Sequence, residues 1–88
     1  MKLLFEKMFL KDIEAIDNAA VKHQIESIIF EIEKATQVNN IRNIKKMKGH
    51  KSAYRIRVGY FRLGFFFENR TVTFTRCLHR KDIYKYFP

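Results

Sequence analysis

Tyr54-Arg55-Ile56-Arg57-Val58-Gly59-Tyr60-Phe61-Arg62-Leu63 is the stretch whose reading sets the class of fold. Arg55 and Arg57 alternate with Ile56 and Val58, the period of two expected of a half-buried strand. Gly59-Tyr60 is a tight connection, and a second strand follows. There Phe61, Leu63, Phe65 and Phe67 fall on one side, with Arg62, Gly64 and Phe66 on the other. Glu68-Asn69-Arg70 supplies the next turn. A third strand alternates Val72, Phe74, Arg76 and Leu78 with Thr71, Thr73, Thr75 and Cys77. Such short connections predict an antiparallel meander. The phenylalanine stripe reads as core, and Phe66 is the one ring whose surroundings stay open.

Upstream the period changes. Residues 2–6 suit a short first strand. Phe9, Leu10, Ile13 and Ile16 are spaced as on an amphipathic helix. Asp17-Asn18 gives a break and an N-cap. Val21, Ile25, Ile28, Ile29 and Ile32 then mark a second helix that ends between Thr36 and Asn40. The turn between the helices is short, which predicts an antiparallel hairpin. Ile41 to Ser52 reads as basic and irregular, tacked down by Ile44 and Met47, and the tail from Arg80 to Pro88 as one helical turn at most. The expected architecture is α+β: an N-terminal helix hairpin packed on one face of an antiparallel sheet of about four strands. Residues 1–88 form a single domain, with no linker, repeat or low-complexity tract.

Charge is segregated along this chain. Residues 1–40 carry five Lys/Arg and seven Asp/Glu, whereas residues 41–88 carry thirteen and two. A surplus confined to one half is the footprint of a polyanion binder. The 47% apolar share argues against wholesale disorder. The single cysteine, Cys77, cannot close an internal disulfide, which points to a reducing, cytoplasmic setting. Met1-Lys2-Leu3-Leu4-Phe5 starts like a secretory leader, but Glu6, Lys7 and Lys11 interrupt it. The apolar run Leu63 to Phe67 is far too short to span a bilayer, so no membrane partner is expected.

The basic half holds the groups that metal-free RNA cleavage needs. A 2′-hydroxyl can attack the neighbouring phosphate if a base takes its proton, an acid protonates the leaving 5′-oxygen, and cations hold the charge between them. Arg55, Arg57 and Arg62 share the sheet face opposite the core stripe and stay charged throughout. Leu78-His79-Arg80-Lys81-Asp82-Ile83-Tyr84 adds a titratable ring, two cations and a tyrosine that can stack on a base. Lys45, Lys46, Lys48, Lys51 and Lys81 suit backbone phosphate contact. No His/Cys cluster or glycine-rich phosphate loop appears, so neither a metal nor another cofactor is expected. Blander readings compete: alternating strand arginines are often a solvated face, and His23 and His50 read as incidental. Cys77 reads as a spectator thiol.

Met47-Lys48-Gly49, Tyr54 to Gly59, Phe61-Arg62-Leu63 and His79 to Tyr84, in that order, resemble the RelE/ParE superfamily of microbial toxins. The resemblance covers essentially the whole chain. It implies a microbial-RNase-like fold, neutralisation by a cognate antitoxin that covers the basic face and, for the RelE branch, cleavage of mRNA in the ribosomal A site. Carried onto this sequence, it gives Arg55 and Arg57 catalytic or phosphate-binding roles and Arg62 the stabilisation of transition-state charge. Arg80 matches a late arginine acting on the leaving group, and Tyr84 a tyrosine that orients substrate. His79 matches a histidine of some branches, with an acid or base role. Two departures stand out. The turn Gly59-Tyr60-Phe61-Arg62 lacks the acidic residue usual after the glycine, and arginines replace the lysines common at positions 55 and 57. Arginine is a poor general base, so His79 is expected to carry proton transfer. The ParE branch shares the fold but poisons DNA gyrase, and a degenerate toxin that only binds its antitoxin is a further alternative.

Overall fold

The computed structural model describes residues 1–88. In chain order the elements are β1 (Lys2–Phe5), α1 (Lys7–Glu14), α2 (Ala19–Lys34), a 3-10 turn (Val38–Asn40), β2 (Ile44–Lys46), β3 (Ala53–Val58), β4 (Phe61–Glu68), β5 (Thr71–His79) and α3 (Ile83–Tyr86). The α+β class and the helices on one face of the sheet are as expected. The Asn18 cap also forms, its side-chain oxygen accepting the Val21 N–H at 3.1 Å.

The sheet differs from the expectation in two ways. It has five strands, in the order β1-β5-β4-β3-β2, and it is mixed. The meander β2–β3–β4–β5 is antiparallel, but β1 runs parallel to β5, with Leu3 opposite Val72 and Phe5 opposite Phe74. A parallel neighbour requires a long crossover, and α1 and α2 provide it. The extra strand, β2, comes from the segment read as irregular: three residues are too few to display a period.

Both faces of the sheet are covered, unequally. The main core joins Phe9, Ile25 and Ile32 of the helices to Ile56, Leu63, Phe65 and Phe74 of the sheet. Asp12 of α1 anchors that layer, accepting from Arg76 Nε at 2.8 Å and from the Cys77 N–H at 2.9 Å. The other face carries a small second core of Met47, Ala53, Ile83 and Phe87, with Phe66 and Leu78 packed against it. This resolves Phe66: its ring lies 5.2 Å from that of Phe87 and is packing, not a base platform. Gly64 lies beneath Phe87, where a Cβ would come within 2.7 Å of the ring. Phe87 and the short α3 thus cover one end of this face and leave the rest open.

Two turns and a bulge set the directions of side chains. Asn69 and Arg70 both adopt positive φ (52° and 57°), as a two-residue type I′ hairpin requires. Gly59 takes φ 59° at the head of the β3–β4 turn. Between β4 and β5 the register shifts: Gly64 faces Arg76, but Phe65 faces Phe74. Thr75 is left without a partner, and the alternation of β5 changes sides there. Cys77, rather than Leu78, therefore joins the helix-side core.

Candidate nucleic-acid interface

Cross-strand partners share a face of a sheet. Arg57 is paired with Arg62, and Arg55 with Gly64 beside it, so the arginines project from the face opposite the main core, and at the β3–β4 end of the sheet Arg57 and Arg62 also border a cleft shared with α2. Arg55 and Arg57 are two residues apart on β3, about 7 Å along the strand. Arg62 is held in place. One Nη donates to the carbonyls of Gly59 and Phe61, each at 2.9 Å, so the side chain curls over the turn it follows. The Arg62 guanidinium has its pKa lowered, first by burial and then by the charges of Arg55, Arg57 and Arg80; Tyr84 acts in the opposite direction. These residues are thus electrostatic neighbours, and Arg62 remains a cation at neutral pH.

No carboxylate neutralises this group. The two ion pairs of the molecule lie elsewhere, Arg42 with Glu31 and Arg76 with Asp12. The Arg55 guanidinium packs over the Tyr84 ring, 5.4 Å from its centre, while its buried Nε has no hydrogen-bond acceptor. A buried donor without a partner is costly. Arg80 lies 5.4 Å over the ring of Tyr60, and its N–H donates to the Tyr60 carbonyl at 2.7 Å.

Two clefts flank the arginines. One, of about 510 Å³, is lined by Lys45, Lys46, Lys48, His50, Arg55 and Tyr84. Lys51 borders the adjoining depression with Lys46 and Lys48. The other, of about 660 Å³, lies between α2 and the β3–β4 turn, and Arg57, Arg62 and Arg80 form its sheet side. Lys81 is exposed and lines neither.

His79 is the residue that the structure does not bring to the others. It pairs with Phe61 on the helix side of the sheet, because the bulge at Thr75 has reversed β5. Its ring lies parallel to Tyr60 at 6.1 Å and edge-on to Phe61 at 6.0 Å, and Nδ1 accepts the Lys81 N–H at 3.2 Å. It borders a separate depression with Asp12 and Cys77. His50, read as incidental, instead lines the cleft with Arg55 and Tyr84. Its signal in the sequence was position alone, after Gly49 and between Lys48 and Lys51. Cys77 is no nucleophile: burial, with Asp12 adding to it, pushes its thiol up to about 12.

No protein-family model matches the chain. In sequence it is 43% identical over 89 aligned residues to the toxin RelE3 of Methanocaldococcus jannaschii, with 100% of both chains covered. In structure it is similar to the RelB–RelE antitoxin–toxin complex of Methanococcus jannaschii, with a TM-score of 0.81, 41% identity, and 97% of this chain and 99% of that one covered. The Escherichia coli RelBE complex gives a TM-score of 0.71 at 18% identity, covering 89% and 94%, a likeness of fold alone. Sequence and fold agree along the full length, and the chain belongs to the RelE toxin family.

Proposed function

We propose that this chain is the toxin of a toxin–antitoxin pair and that it cuts mRNA on the ribosome, using the RNA's own 2′-hydroxyl as nucleophile. The observation that carries this reading is the group of neighbouring arginines with no carboxylate partner. A toxin that binds a fixed phosphate and stabilises the charge of its transition state needs that arrangement.

In the step proposed, the bond from the 2′-oxygen to phosphorus forms and the bond from phosphorus to the 5′-oxygen breaks. The products are a 2′,3′-cyclic phosphate and a 5′-hydroxyl. Arg55, Arg57 and Arg62 hold the phosphate and the charge that builds on it. Arg80 acts beside the leaving oxygen, and Tyr84, packed on Arg55, stacks on the RNA. The lysines from Lys45 to Lys51 steer the strand. None of the arginines is a suitable base at neutral pH. Proton transfer passes to His50, which shares the cleft of Arg55 and Tyr84, and leaves His79, which faces the helices. By likeness to the RelB–RelE complex of Methanococcus jannaschii, a cognate antitoxin binds this toxin.

The test is induced expression without antitoxin, with stability of each variant checked by melting. Arg62→Ala should lower cleavage by about 10²–10³-fold and abolish growth arrest. His50→Gln should also abolish arrest, whereas His79→Gln should arrest growth like the parent. Full toxicity of Arg62→Ala sinks the site. The reverse outcome for the two histidines sinks the assignment of the proton.

A further inference from the structure

Helix α2 forms the far wall of the larger cleft. His23, Gln24 and Ser27 stand on its exposed side, while Ile25 and Ile32 turn into the core. Opposite them are Arg57, Arg62 and Arg80. The cleft's volume, about 660 Å³, falls within the range of small-ligand sites, about 300–1,000 Å³.

Its two walls differ in chemistry, and that difference selects the ligand. The sheet wall is cationic, and the one acid in the lining, Glu31, is turned to Arg42 at 3.4 Å. An anion is therefore favoured there, and phosphate suits the forked guanidinium. The helix wall offers an amide at Gln24 and a hydroxyl at Ser27, and Asn43, off the helix, adds a second amide to the lining. Amides and hydroxyls both donate and accept, as the edge of a nucleobase does. A second cationic wall would suit an acidic peptide better. A phosphate flanked by a base needs one wall of each kind.

We propose that this cleft is a nucleotide subsite in which Gln24 and Ser27 read the base attached to the phosphate that Arg57, Arg62 and Arg80 hold for cutting. The proposal rests on the RNA reading above. It makes α2 the element that sets sequence preference, with the open sheet face supplying the chemistry.

Binding alone tests it. Labelled hexanucleotide RNAs that differ at one base are titrated into the purified chain and followed by fluorescence anisotropy. Gln24 and Ser27 are exposed on a helix, where alanine is well tolerated. The parent should prefer one base at one position by about ten-fold, and Gln24→Ala/Ser27→Ala should reduce that to under about two-fold. Arg80→Ala should weaken all the RNAs alike and make the slope of log affinity against log salt shallower by about 0.7. Equal affinity of the parent for all four bases overturns the proposal. So does an undiminished preference in the double variant, or a poly-glutamate peptide that competes as well as RNA. Base-selective binding without cleavage would count against the nuclease alone; cleavage without base preference would count against the subsite alone.

Discussion

At the scale of single residues, Thr75 decides which histidine meets the arginines. It has no partner in β4, so Cys77 and His79 turn to the helices while Arg62 and Arg57 point the other way. The sequence around it hides this. Leu78 is apolar and fills either face equally well, so the alternation reads as unbroken. The same reversal buries Cys77 and raises its thiol to about 12. Its consequence for stability has a definite sign. Below about pH 8.5 neither folded nor unfolded thiol ionises. Between that value and about 12 the unfolded thiol loses its proton and the folded one keeps it. The unfolded state is then favoured, and stability falls as pH rises. Urea titrations from pH 7 to pH 10.5 should show this loss in the parent, and a smaller one in Cys77→Ala. Equal slopes would contradict the burial of the thiol.

At the scale of elements, the C-terminal turn does more than its length suggests. Phe87 presses on Gly64, and Ile83 is fully buried, so α3 is pinned to the sheet and Tyr84 is set over Arg55. Gly64→Ala should cost about 1–3 kcal/mol, because the new methyl meets the ring, and should loosen Tyr84 from Arg55. Phe87→Ala alone should cost about 3–5 kcal/mol. The double variant should be less unstable than the sum, since removing the ring relieves the clash; additive losses in urea denaturation would contradict the contact. The sequence carried some of these elements plainly and others not at all. Ile25 and Ile32 at helical spacing, Asn18 as cap, and Ile56 and Val58 alternating with arginines were legible because each follows a local period. β2 was too short to show one, and β1's parallel pairing with β5 is non-local. For the candidate site, the strand arginines could be placed by alternation. His50 and the α2 wall could not, because only the tertiary fold sets them beside residues far along the chain.

At the scale of the whole molecule, the division of charge along the chain becomes a division in space. The acidic residues lie mostly on α1 and α2, which cover one face of the sheet, and the basic half forms β2 to β5 and the loop before β3. α3 covers the second face only in part, leaving uncompensated cations open to a polyanion. In the function proposed, this open face cuts mRNA. The most direct test is to incubate purified chain with ribosomes carrying a defined end-labelled mRNA, then map the cuts and identify the ends. The account predicts cleavage within the codon at the A site, leaving a 2′,3′-cyclic phosphate and a 5′-hydroxyl. Intact mRNA, together with breaks in plasmid DNA that depend on gyrase, would contradict it.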